Sequence, residues 1–250
     1  MNEPAPLAAS QGRTAIVTGG TGAIGTAICR RLVANGMRCA AIGHPGERER
    51  LAQEAPDFPV RLADLADATA TADAFASLQD ELGPIAVLVN AAGITRDARF
   101  VKMSDAQWRE VMGSNLDSVF HSCKAVFATM CERGFGRIVN ISSVNGQRGQ
   151  FGQANYAAAK AGMHGLTMSL AQEGARHGVT VNTVAPGYVQ TPMTAAMRAD
   201  VLERIVGEVP MRRMAQPEEI ADAVAFLCSD RAAYITGALL PVNGGLHMSA

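Results

Sequence analysis

Residues 143–160 contain three side chains whose types and spacing suit acid–base chemistry: Ser143, Tyr156 and Lys160. Tyr156 and Lys160 are four residues apart in an alanine-rich segment, and a step of four places two side chains on one face of a helix. An ammonium stabilises a neighbouring phenolate, so we expect Lys160 to lower the pKa of Tyr156 toward neutrality. Such a phenol can transfer a proton near physiological pH. The alternative is an exposed Tyr–Lys pair with Ser143 in an ordinary turn.

A glycine-rich turn near the N-terminus indicates a binding site for a diphosphate. The apolar run Thr14–Thr18 predicts a strand, residues 19–25 supply the glycines, and Ile28, Leu32 and Val33 predict one apolar face of a following helix. Glycines let the backbone approach a pyrophosphate, and a helix N-terminus supplies amide donors. The alternative is a tight strand–helix turn without a ligand.

The end of the second predicted strand, Arg38–Gly43, indicates which dinucleotide would bind. An acid there binds the ribose 2′-hydroxyl of NAD, whereas a missing acid with a nearby arginine suits the 2′-phosphate of NADP. No acid ends this strand, and His44 and Arg48 follow it, with Arg50 in reserve. We therefore expect NADP(H), with His44 and Arg48 as phosphate contacts. The alternative for both arginines is an exposed position on the next helix.

Short connections join alternating strands and helices in the rest of the chain. Further strands are predicted over residues 58–63, 85–89, 136–141, 179–184 and 235–242; helices over residues 67–82, 104–132, the segment around Tyr156 to about residue 177, and 217–228; and a partly helical, movable cover over residues 193–214. This alternation predicts an α/β fold in a single domain, a doubly wound parallel sheet of the Rossmann type with helices on both faces. We expect residues 13–250 to form this dinucleotide-binding catalytic domain and residues 1–12 to be a flexible tail.

Composition and charge argue against other classes of protein. A formal net charge of -1 with scattered arginines gives no general attraction to nucleic acid or acidic membranes. No apolar run reaches the length of a membrane span. The five cysteines include no Cys-x-x-Cys pair, which favours free thiols in a reducing compartment over disulfides or a metal site. We therefore expect a cytoplasmic protein that binds no nucleic acid, membrane or metal.

Polar and small residues after other predicted strands are further candidates for a cofactor site. Asp64 could bind an adenine amino group or cap the following helix. Residues 90–93 could pass close to a cofactor or serve packing alone. Asn115 lies within a helical stretch, where an amide is usually solvated, and it could instead direct its backbone or side chain toward a water.

In order along the chain, these motifs resemble the short-chain dehydrogenase/reductase family. The matching residues are Thr18-Gly19, Ala23-Ile24-Gly25, Asp64, Asn90-Ala91-Ala92-Gly93, Asn115, Ser143, Tyr156, Lys160, Pro186-Gly187 and Thr191. The resemblance covers the chain from about residue 13 to its end. Ala23 stands where the family pattern has a glycine, and Ala91 where many members have a second asparagine. The first departure bears on cofactor affinity rather than on the fold.

The resemblance implies hydride transfer between NADP(H) and a ketone. Tyr156 would donate a proton, Lys160 would bind the nicotinamide ribose, Ser143 would hold the carbonyl oxygen, and Asn115 would hold a water that links Lys160 to solvent. The implied cofactor contacts are Thr18, Gly19, Thr21, Ala23, Ile24, Gly25, His44, Arg48, Asp64, Leu65, Asn90, Ala91, Gly93, Tyr156, Lys160, Pro186, Gly187, Val189 and Thr191.

Two kinds of thioester are implied as substrate. The stretches SSVNGQRGQFGQ and NGGLHM are similar to those of members that reduce acetoacetyl-CoA for polyhydroxybutyrate synthesis, whereas NYAAAKAG is equally similar to members that act on acyl carrier protein. A carrier-protein enzyme should present basic residues at the site entrance. Only Arg133 and Arg176 remain in the two relevant regions, beside Phe135 and His177, which favours acetoacetyl-CoA.

Substrate contacts are expected from residues around the serine–tyrosine loop: Asp97, Ser143, Gln150, Gln153 and Tyr188. The alternative for the two glutamines is that they are ordinary polar loop residues. Other functions are a catalytically silent dinucleotide-binding regulator or the reduction of an unrelated ketone or sugar. The resemblance also implies a homotetramer, with residues 104–132 and the Tyr–Lys helix at the interfaces.

Overall fold

A computed structural model describes residues 12–54, 56–195 and 198–248 of the 250-residue chain. The predicted tail therefore lies outside the described residues, except for Gly12. No helix of the described part is long and apolar enough to cross a membrane.

A parallel sheet forms the centre of the described structure. Its strands are β1 (Thr14–Thr18), β2 (Arg38–Gly43), β3 (Val60–Leu62), β4 (Ile85–Asn90), β5 (Gly136–Ile141), β6 (Val179–Pro186) and β7 (Leu239–Val242). They lie in the order β3-β2-β1-β4-β5-β6-β7, and every neighbouring pair is parallel. The order reverses direction between β1 and β4, and in such sheets ligands bind at the carboxyl ends of the strands beside this reversal. The predicted doubly wound α/β fold is confirmed.

Helices cover both faces of the sheet. They are α1 (Ala23–Ala34), α2 (Arg48–Gln53), α3 (Ala68–Leu82), α4 (Asp105–Met112), α5 (Ser118–Glu132), α6 (Asn145–Arg148), α7 (Ala154–Ala175), α8 (Pro192–Ala195), α9 (Ala199–Glu208) and α10 (Pro217–Cys228). Helices α1 and α10 contribute to the core on one face, and α3, α5 and α7 contribute to the core on the other. Because both faces are covered, central strands such as β4 and β5 are buried nearly throughout, and β4 consists mainly of apolar residues.

Several predicted positions differ from the structure. Strand β3 is shorter than residues 58–63, and the last strand begins at Leu239 rather than at residue 235. Val33 is 47% exposed, since the buried stripe of α1 passes through Ile28 and Leu32 and the next residue is rotated about 100° away from it. Residues 104–132 are predominantly helical as predicted, with a π-helical turn, Gly113–Asp117, between α4 and α5.

Candidate active site

The carboxyl ends of β5 and β6 and the first turns of α7 bring the predicted catalytic residues together. Ser143 lies two residues after β5, and Tyr156 and Lys160 lie one turn apart on α7. Lys160 Nζ donates a hydrogen bond to the Ile141 carbonyl at 2.7 Å and lies 5.7 Å from the centre of the Tyr156 ring. Helix α6 packs closely on α7 here, because a Cβ at Gly146 would lie 2.9 Å from Lys160.

The electrostatics of this group differ from the sequence expectation. Burial raises the pKa of the Tyr156 phenol above its ordinary value, and the neighbouring Ser143 hydroxyl offsets this shift only in part. Burial also lowers the pKa of Lys160 to about 8. The expectation that Lys160 lowers the pKa of Tyr156 toward neutrality is therefore wrong for this structure, since desolvation of the phenol outweighs its hydrogen bond with Ser143 and the nearby Asp97 also raises the pKa.

Asn115 lies in the π-helical turn and is fully buried. Its Oδ1 accepts from the Ile94 amide at 2.7 Å, and its Nδ2 donates to the Ile94 carbonyl at 2.8 Å. Each end of the amide therefore has a partner in the Ile94 backbone, which fixes the side chain in place, and the predicted link to a water stays a prediction for both the backbone and the side chain. A Cβ at Gly93 would lie 2.8 Å from Asn115 Oδ1 and 3.4 Å from Lys160 Nζ, so Gly93 is packed against both.

The glycine-rich turn forms a cradle at the N-terminus of α1. Gly19 adopts a φ of 64°, and a Cβ there would lie 2.7 Å from Ala92. A Cβ at Gly25 would lie 2.1 Å from the Gly19 carbonyl oxygen, so the turn closes tightly on itself. No side chain caps α1, which leaves its first amides available to an anion. Ala23, which stands where the family pattern has a glycine, is the first residue of this helix. Alanine is a good helix former, so this substitution suits the position.

A cavity of about 390 Å³ runs along the carboxyl edge of the sheet from this cradle. Its lining residues are Gly19, Thr21, Gly22, Ile42, Gly43, His44, Glu47, Ala63, Asp64, Leu65, Ala66, Ala91, Ala92, Gly93, Ile94, Ser114 and Ser118. The lining residues thus lie at the carboxyl ends of β1, β2, β3 and β4, and Ser114 and Ser118 lie in or beside the π-helical turn. The cavity lies beside the point where the strand order reverses, which is where doubly wound folds bind their ligands.

The end of this cavity near β2 contains a carboxylate that the sequence reasoning missed. Glu47 Oε2 accepts from Thr21 Oγ1 at 2.7 Å and from the His44 amide at 3.0 Å, and Glu47 pairs with Arg50. Burial raises the pKa of Glu47, but the hydrogen bonds from Thr21, the His44 amide and Arg50 outweigh it and the pKa is lowered. The pattern His44-x-x-Glu47 is a capping box that the sequence could have revealed.

Arg50, rather than Arg48, reaches the cavity residues. Arg50 Nη2 donates to the Thr21 carbonyl at 3.2 Å, in addition to its pair with Glu47. Arg48 is exposed and does not line the cavity, because residues two apart on α2 point about 200° away from each other. The role of Arg48 as a phosphate contact stays a prediction that this geometry does not favour, while His44 lines the cavity.

Asp64, Leu65, Asn90 and Thr18 occupy different environments. Asp64 and Leu65 line the cavity, and α3 is capped by Asp67 instead, whose Oδ1 accepts from two amides at 2.8 Å. Asn90 is buried, and its Nδ2 donates to Asn140 Oδ1 at 2.8 Å, so its side chain points into the sheet and not toward a cofactor. Thr18 is also buried, and its backbone carbonyl accepts from the Ala91 amide at 3.1 Å. The side chains of Thr18 and Asn90 therefore support the sheet, and their direct contacts with a cofactor stay predictions.

The other predicted cofactor residues lie at the same edge of the sheet. Pro186 ends β6, and its carbonyl accepts from the Val144 amide at 2.8 Å, which joins the segment after β6 to the segment that carries Ser143. Gly187 packs on Asn243, where a Cβ would lie 2.9 Å away. Val189 and Thr191 follow, and the Thr191 amide donates to Thr194 Oγ1 at 2.8 Å. None of Pro186, Gly187, Val189, Thr191, Ile24 and Gly25 lines the cavity of 390 Å³.

A chain of hydrogen bonds links the predicted substrate residues to the serine. Gln153 Nε2 donates to both Asp97 carboxylate oxygens, at 3.1 and 2.9 Å. Gln153 Oε1 accepts from Asn145 Nδ2 at 2.9 Å, and the Asn145 amide donates to Ser143 Oγ at 3.1 Å. The glutamine is therefore not an unpaired loop residue but the centre of this chain.

A second cavity, of about 620 Å³, opens beside this chain. It is lined by Asn145, Arg148, Gly149, Gln150, Phe151, Gln153, Tyr188, Arg204, Ile205 and Glu208. Three of the predicted substrate residues, Gln150, Gln153 and Tyr188, thus face one cavity, whereas Asp97 reaches it through Gln153. Helix α9, within the predicted cover, supplies its outer wall.

The arginines used to distinguish the two thioesters lie at the wrong edge of the sheet. Arg133 donates to the carbonyl of Ile85, the first residue of β4, and Arg176 lies between the end of α7 and the start of β6. Strands of five to eight residues separate this amino edge from the carboxyl edge by about 15–25 Å. The expectation that Arg133 and Arg176 mark the entrance of this chain's own site is therefore wrong.

Two supporting residues carried no signal in the sequence. Ser142 Oγ donates to the Lys160 carbonyl at 3.0 Å and lies 2.7 Å from His164 Nε2, which ties β5 to α7. Asn155 is fully buried, and its Nδ2 donates to the carbonyls of Arg96 and Gln107. These bonds hold the segment after β4 against the start of α7. Among the described residues, no group of His, Cys, Asp and Glu forms a metal site.

Comparisons with known proteins agree with this geometry. A family model described as enoyl-(acyl carrier protein) reductase matches residues 20–247. The acetoacetyl-CoA reductase of Allochromatium vinosum is 56% identical over 243 residues, covering 94% of this chain and 99% of the relative. The acetoacetyl-CoA reductase of Cupriavidus necator is 52% identical over 242 residues, covering 94% and 98%. A 3-oxoacyl-acyl-carrier-protein reductase of Escherichia coli is 44% identical over 243 residues, covering 95% and 98%.

Proposed function

The chain belongs to the short-chain dehydrogenase/reductase family, and from this premise we propose that it reduces acetoacetyl-CoA to 3-hydroxybutyryl-CoA with NADPH. It is therefore an oxidoreductase that uses a nicotinamide dinucleotide. The observation that carries the proposal is the convergence of Ser143, Tyr156 and Lys160 at the carboxyl end of β5. Two relatives named acetoacetyl-CoA reductase support the substrate.

The residues of the first cavity fit a dinucleotide. The glycine cradle leaves no space for a side chain at Gly19, and the uncapped amides of α1 suit a diphosphate. Asp64 Oδ1 accepts from the Ala66 amide at 3.0 Å, and the carboxylate lines the cavity, where it can also accept from an adenine amino group. Arg50 can contact a ribose 2′-phosphate from its position beside Thr21, and this supports NADP(H) over NAD(H).

The nicotinamide supplies a hydride when it is bound, and the side chains of this chain control the proton and the charge. In the proposed mechanism, Ser143 Oγ donates to the ketone oxygen and stabilises the negative charge that develops there. The Tyr156 phenol then transfers its proton to that oxygen. Its raised pKa means that the phenol is protonated at neutral pH, as an acid must be before the reaction. Lys160, held by the Ile141 carbonyl, provides positive charge near the resulting phenolate.

Replacing Tyr156 with phenylalanine tests the proposal. We expect Tyr156→Phe to keep its fold and its affinity for NADPH and to lose about 10²–10⁴-fold in kcat with acetoacetyl-CoA, because a positioned general acid contributes a factor of this size. Tyr234→Phe is the matched control, since Tyr234 is fully exposed. Turnover by Tyr156→Phe at a rate near that of the control would refute the proton-donor role.

The alternative function is the reduction of 3-oxoacyl groups on acyl carrier protein, supported by the Escherichia coli relative. Parallel measurements of kcat/KM with acetoacetyl-CoA and with an acetoacetyl carrier protein distinguish the two. A silent dinucleotide-binding regulator is disfavoured, because the serine, tyrosine and lysine are all present and converge. An assay of NADPH oxidation with a panel of ketones tests both the hypothesis of a catalytically inactive regulator and the hypothesis that the substrate is an unrelated ketone.

We also propose a homotetramer in a reducing cytoplasm. Large apolar side chains on the predicted interface helices are exposed in the single chain: Trp108 by 39%, Phe120 by 48% and Met168 by 52%. Burial between subunits would remove this apolar surface from water. All five cysteines are free thiols, as is usual in a reducing compartment. The resemblance to members of polyhydroxybutyrate synthesis supports that pathway for the product.

A further inference from the structure

We propose that His164 is a positioning residue for the reaction, which acts through Ser142 to hold the Lys160 turn of α7 against the end of β5. This inference rests on the proposed function and adds to it a residue that lines neither the cavity of about 390 Å³ nor that of about 620 Å³. The observation that carries it is a closed set of hydrogen bonds among these three residues.

The hydrogen bonds of Ser142 determine which nitrogen of His164 carries a proton. Ser142 Oγ lies 3.0 Å from the Lys160 carbonyl oxygen and 2.7 Å from His164 Nε2. A carbonyl oxygen can only accept, so the single hydroxyl hydrogen of Ser142 goes to Lys160, and Ser142 Oγ must accept from Nε2–H of His164. The Lys160 carbonyl also accepts from the His164 amide through the regular bond between residues four apart in α7, which closes the ring.

The bond from His164 restricts the rotation of the serine hydroxyl. A serine O–H can point in several directions, and a donor on its oxygen leaves the hydrogen directed at the Lys160 carbonyl. Hydrogen bonds that follow one another in a buried site also polarise each other. Ser142 is 4% exposed, and its amide donates to the Val184 carbonyl at 2.8 Å, so both its main chain and its side chain are held. Because Ser143 is the next residue, this arrangement also fixes the main chain from which its hydroxyl extends.

Side chains attach α7 to β5 and the residue after it at two points. Within the strand, Asn140 Nδ2 donates to Thr167 Oγ1 at 2.8 Å. Ser142, two residues further along the chain and therefore on the same face, makes the second attachment. This one lies at the turn that carries Lys160, whose Nζ donates to the Ile141 carbonyl at 2.7 Å. Loss of the second attachment would therefore change the bond of Lys160 Nζ, while the attachment at Asn140 would hold the rest of the helix in place.

His164 fills this role without adding a charge beside Lys160. Burial and the neighbouring Lys160 ammonium lower the pKa of His164 below its ordinary value, so the ring is neutral at neutral and alkaline pH. Among the described residues, the titratable groups beside Lys160 are Tyr156 and His164, both on α7. Its neighbours from other segments, Ile141 and Gly93, carry no charge. A change at His164 therefore acts on Lys160 through hydrogen bonds and not through a lost charge.

The test is the steady-state kinetics of His164→Leu, Ser142→Ala and the double variant with acetoacetyl-CoA and saturating NADPH. We expect each single variant to lose about tenfold in kcat, equivalent to about 1.4 kcal/mol, which is the net size of one hydrogen bond. KM for acetoacetyl-CoA should stay within about twofold of wild type, because neither side chain lines a cavity. The double variant should lose no more than Ser142→Ala alone, since both changes remove the same bond.

Two further measurements separate positioning from a general loss of stability. Lys160 has a pKa lowered to about 8, and a weakened bond to Ile141 stabilises its ammonium less, so the alkaline limb of the kcat/KM profile should move to lower pH in His164→Leu. His164→Gln, whose amide nitrogen can donate to Ser142, should restore both kcat and this limb. His177→Leu is the matched control, because it makes the same change to a half-exposed histidine just beyond the far end of α7.

The outcomes separate the inference from the proposed function. Additive losses in the double variant, an alkaline limb that does not move, or no recovery in His164→Gln would overturn the role of His164 and leave the function standing. Wild-type protein that reduces no 3-oxoacyl thioester would overturn the proposed function itself. In that case the Kd for NADPH, measured against pH without turnover, should rise at lower pH in His164→Leu than in wild type, and identical profiles would overturn the inference as well.

Discussion

Replacing Arg50 with glutamine should remove the preference for NADPH over NADH while leaving the affinity for NADH unchanged. In the structure Arg50 reaches the Thr21 carbonyl and pairs with Glu47, which places its guanidinium at the end of the cofactor cavity near β2. A ribose 2′-phosphate at this end would form a hydrogen bond with Arg50 in which both groups are charged. The neutral 2′-hydroxyl of NADH cannot form such a bond. Glutamine keeps a polar side chain of similar reach but removes the charge.

The size of the effect follows from the exposure of the pair. A hydrogen bond between charged groups contributes about 1.5–3 kcal/mol when it is sheltered, and exposed ion pairs contribute about 0.2–1 kcal/mol. The Arg50 side chain is 44% exposed and Glu47 is 29% exposed, so the lower part of the sheltered range applies. We expect a loss of about 1.4 kcal/mol, which is a tenfold rise in the Kd for NADPH.

The assay is the quenching of protein fluorescence on titration with each dinucleotide, which measures Kd without turnover. Arg48→Gln is the matched control, because it removes the same charge from a residue of α2 whose side chain points away from that of Arg50. Glu47→Gln should have the opposite effect and lower the Kd for NADPH severalfold, since the carboxylate repels a 2′-phosphate and holds Arg50. An equal rise of Kd for NADPH and NADH in Arg50→Gln, or a larger effect of Arg48→Gln, would refute the reasoning.

Three other changes test separate parts of the site. Lys160 has a pKa lowered to about 8, so the folded protein releases this proton before the unfolded chain does. In urea titrations wild type should therefore gain up to roughly 3 kcal/mol of stability relative to Lys160→Met between pH 8 and 10, and a constant difference would contradict the lowered pKa. Gly93→Ala would place its Cβ 2.8 Å from Asn115 Oδ1, so circular dichroism should show a lower Tm, and unchanged Tm would argue against this packing. Trp108→Lys should shift the protein from tetramer to smaller species in analytical ultracentrifugation, and an intact tetramer would contradict its place in an interface.

The order of strands and helices could be predicted because the relevant forces are local or periodic. Apolar runs such as β4 identify strands buried on both faces, and glycines such as Gly19 mark the turn whose φ of 64° they permit. The convergence of Ser143 with Tyr156 also follows from topology, since both lie between the carboxyl end of β5 and the first turn of α7. These features require only the pattern of the chain and the rules of parallel sheets.

Other features depend on contacts that no local pattern contains. The pKa of Tyr156 is set by how deeply the phenol is buried, and the side chain of Asn115 is occupied by Ile94, a partner 21 residues away. The choice between Arg48 and Arg50 depends on the short 3-10 helix Pro45–Glu47, which sets the rotation of α2. Exposed apolar residues such as Trp108 follow the same periodicity as buried ones, because sequence does not distinguish a core within one chain from an interface between chains.

The proposed contact to the 2′-phosphate has a physical arrangement that bears on specificity. Arg50 is paired with Glu47 at the end of the cofactor cavity near β2. A phosphate that binds Arg50 must compete with this carboxylate, so part of the gain is offset and affinity stays moderate. A ligand without that phosphate leaves the pair undisturbed and gains nothing from it. Discrimination then comes from the difference between the two ligands rather than from tight binding of either one, which suits an enzyme that must release both products.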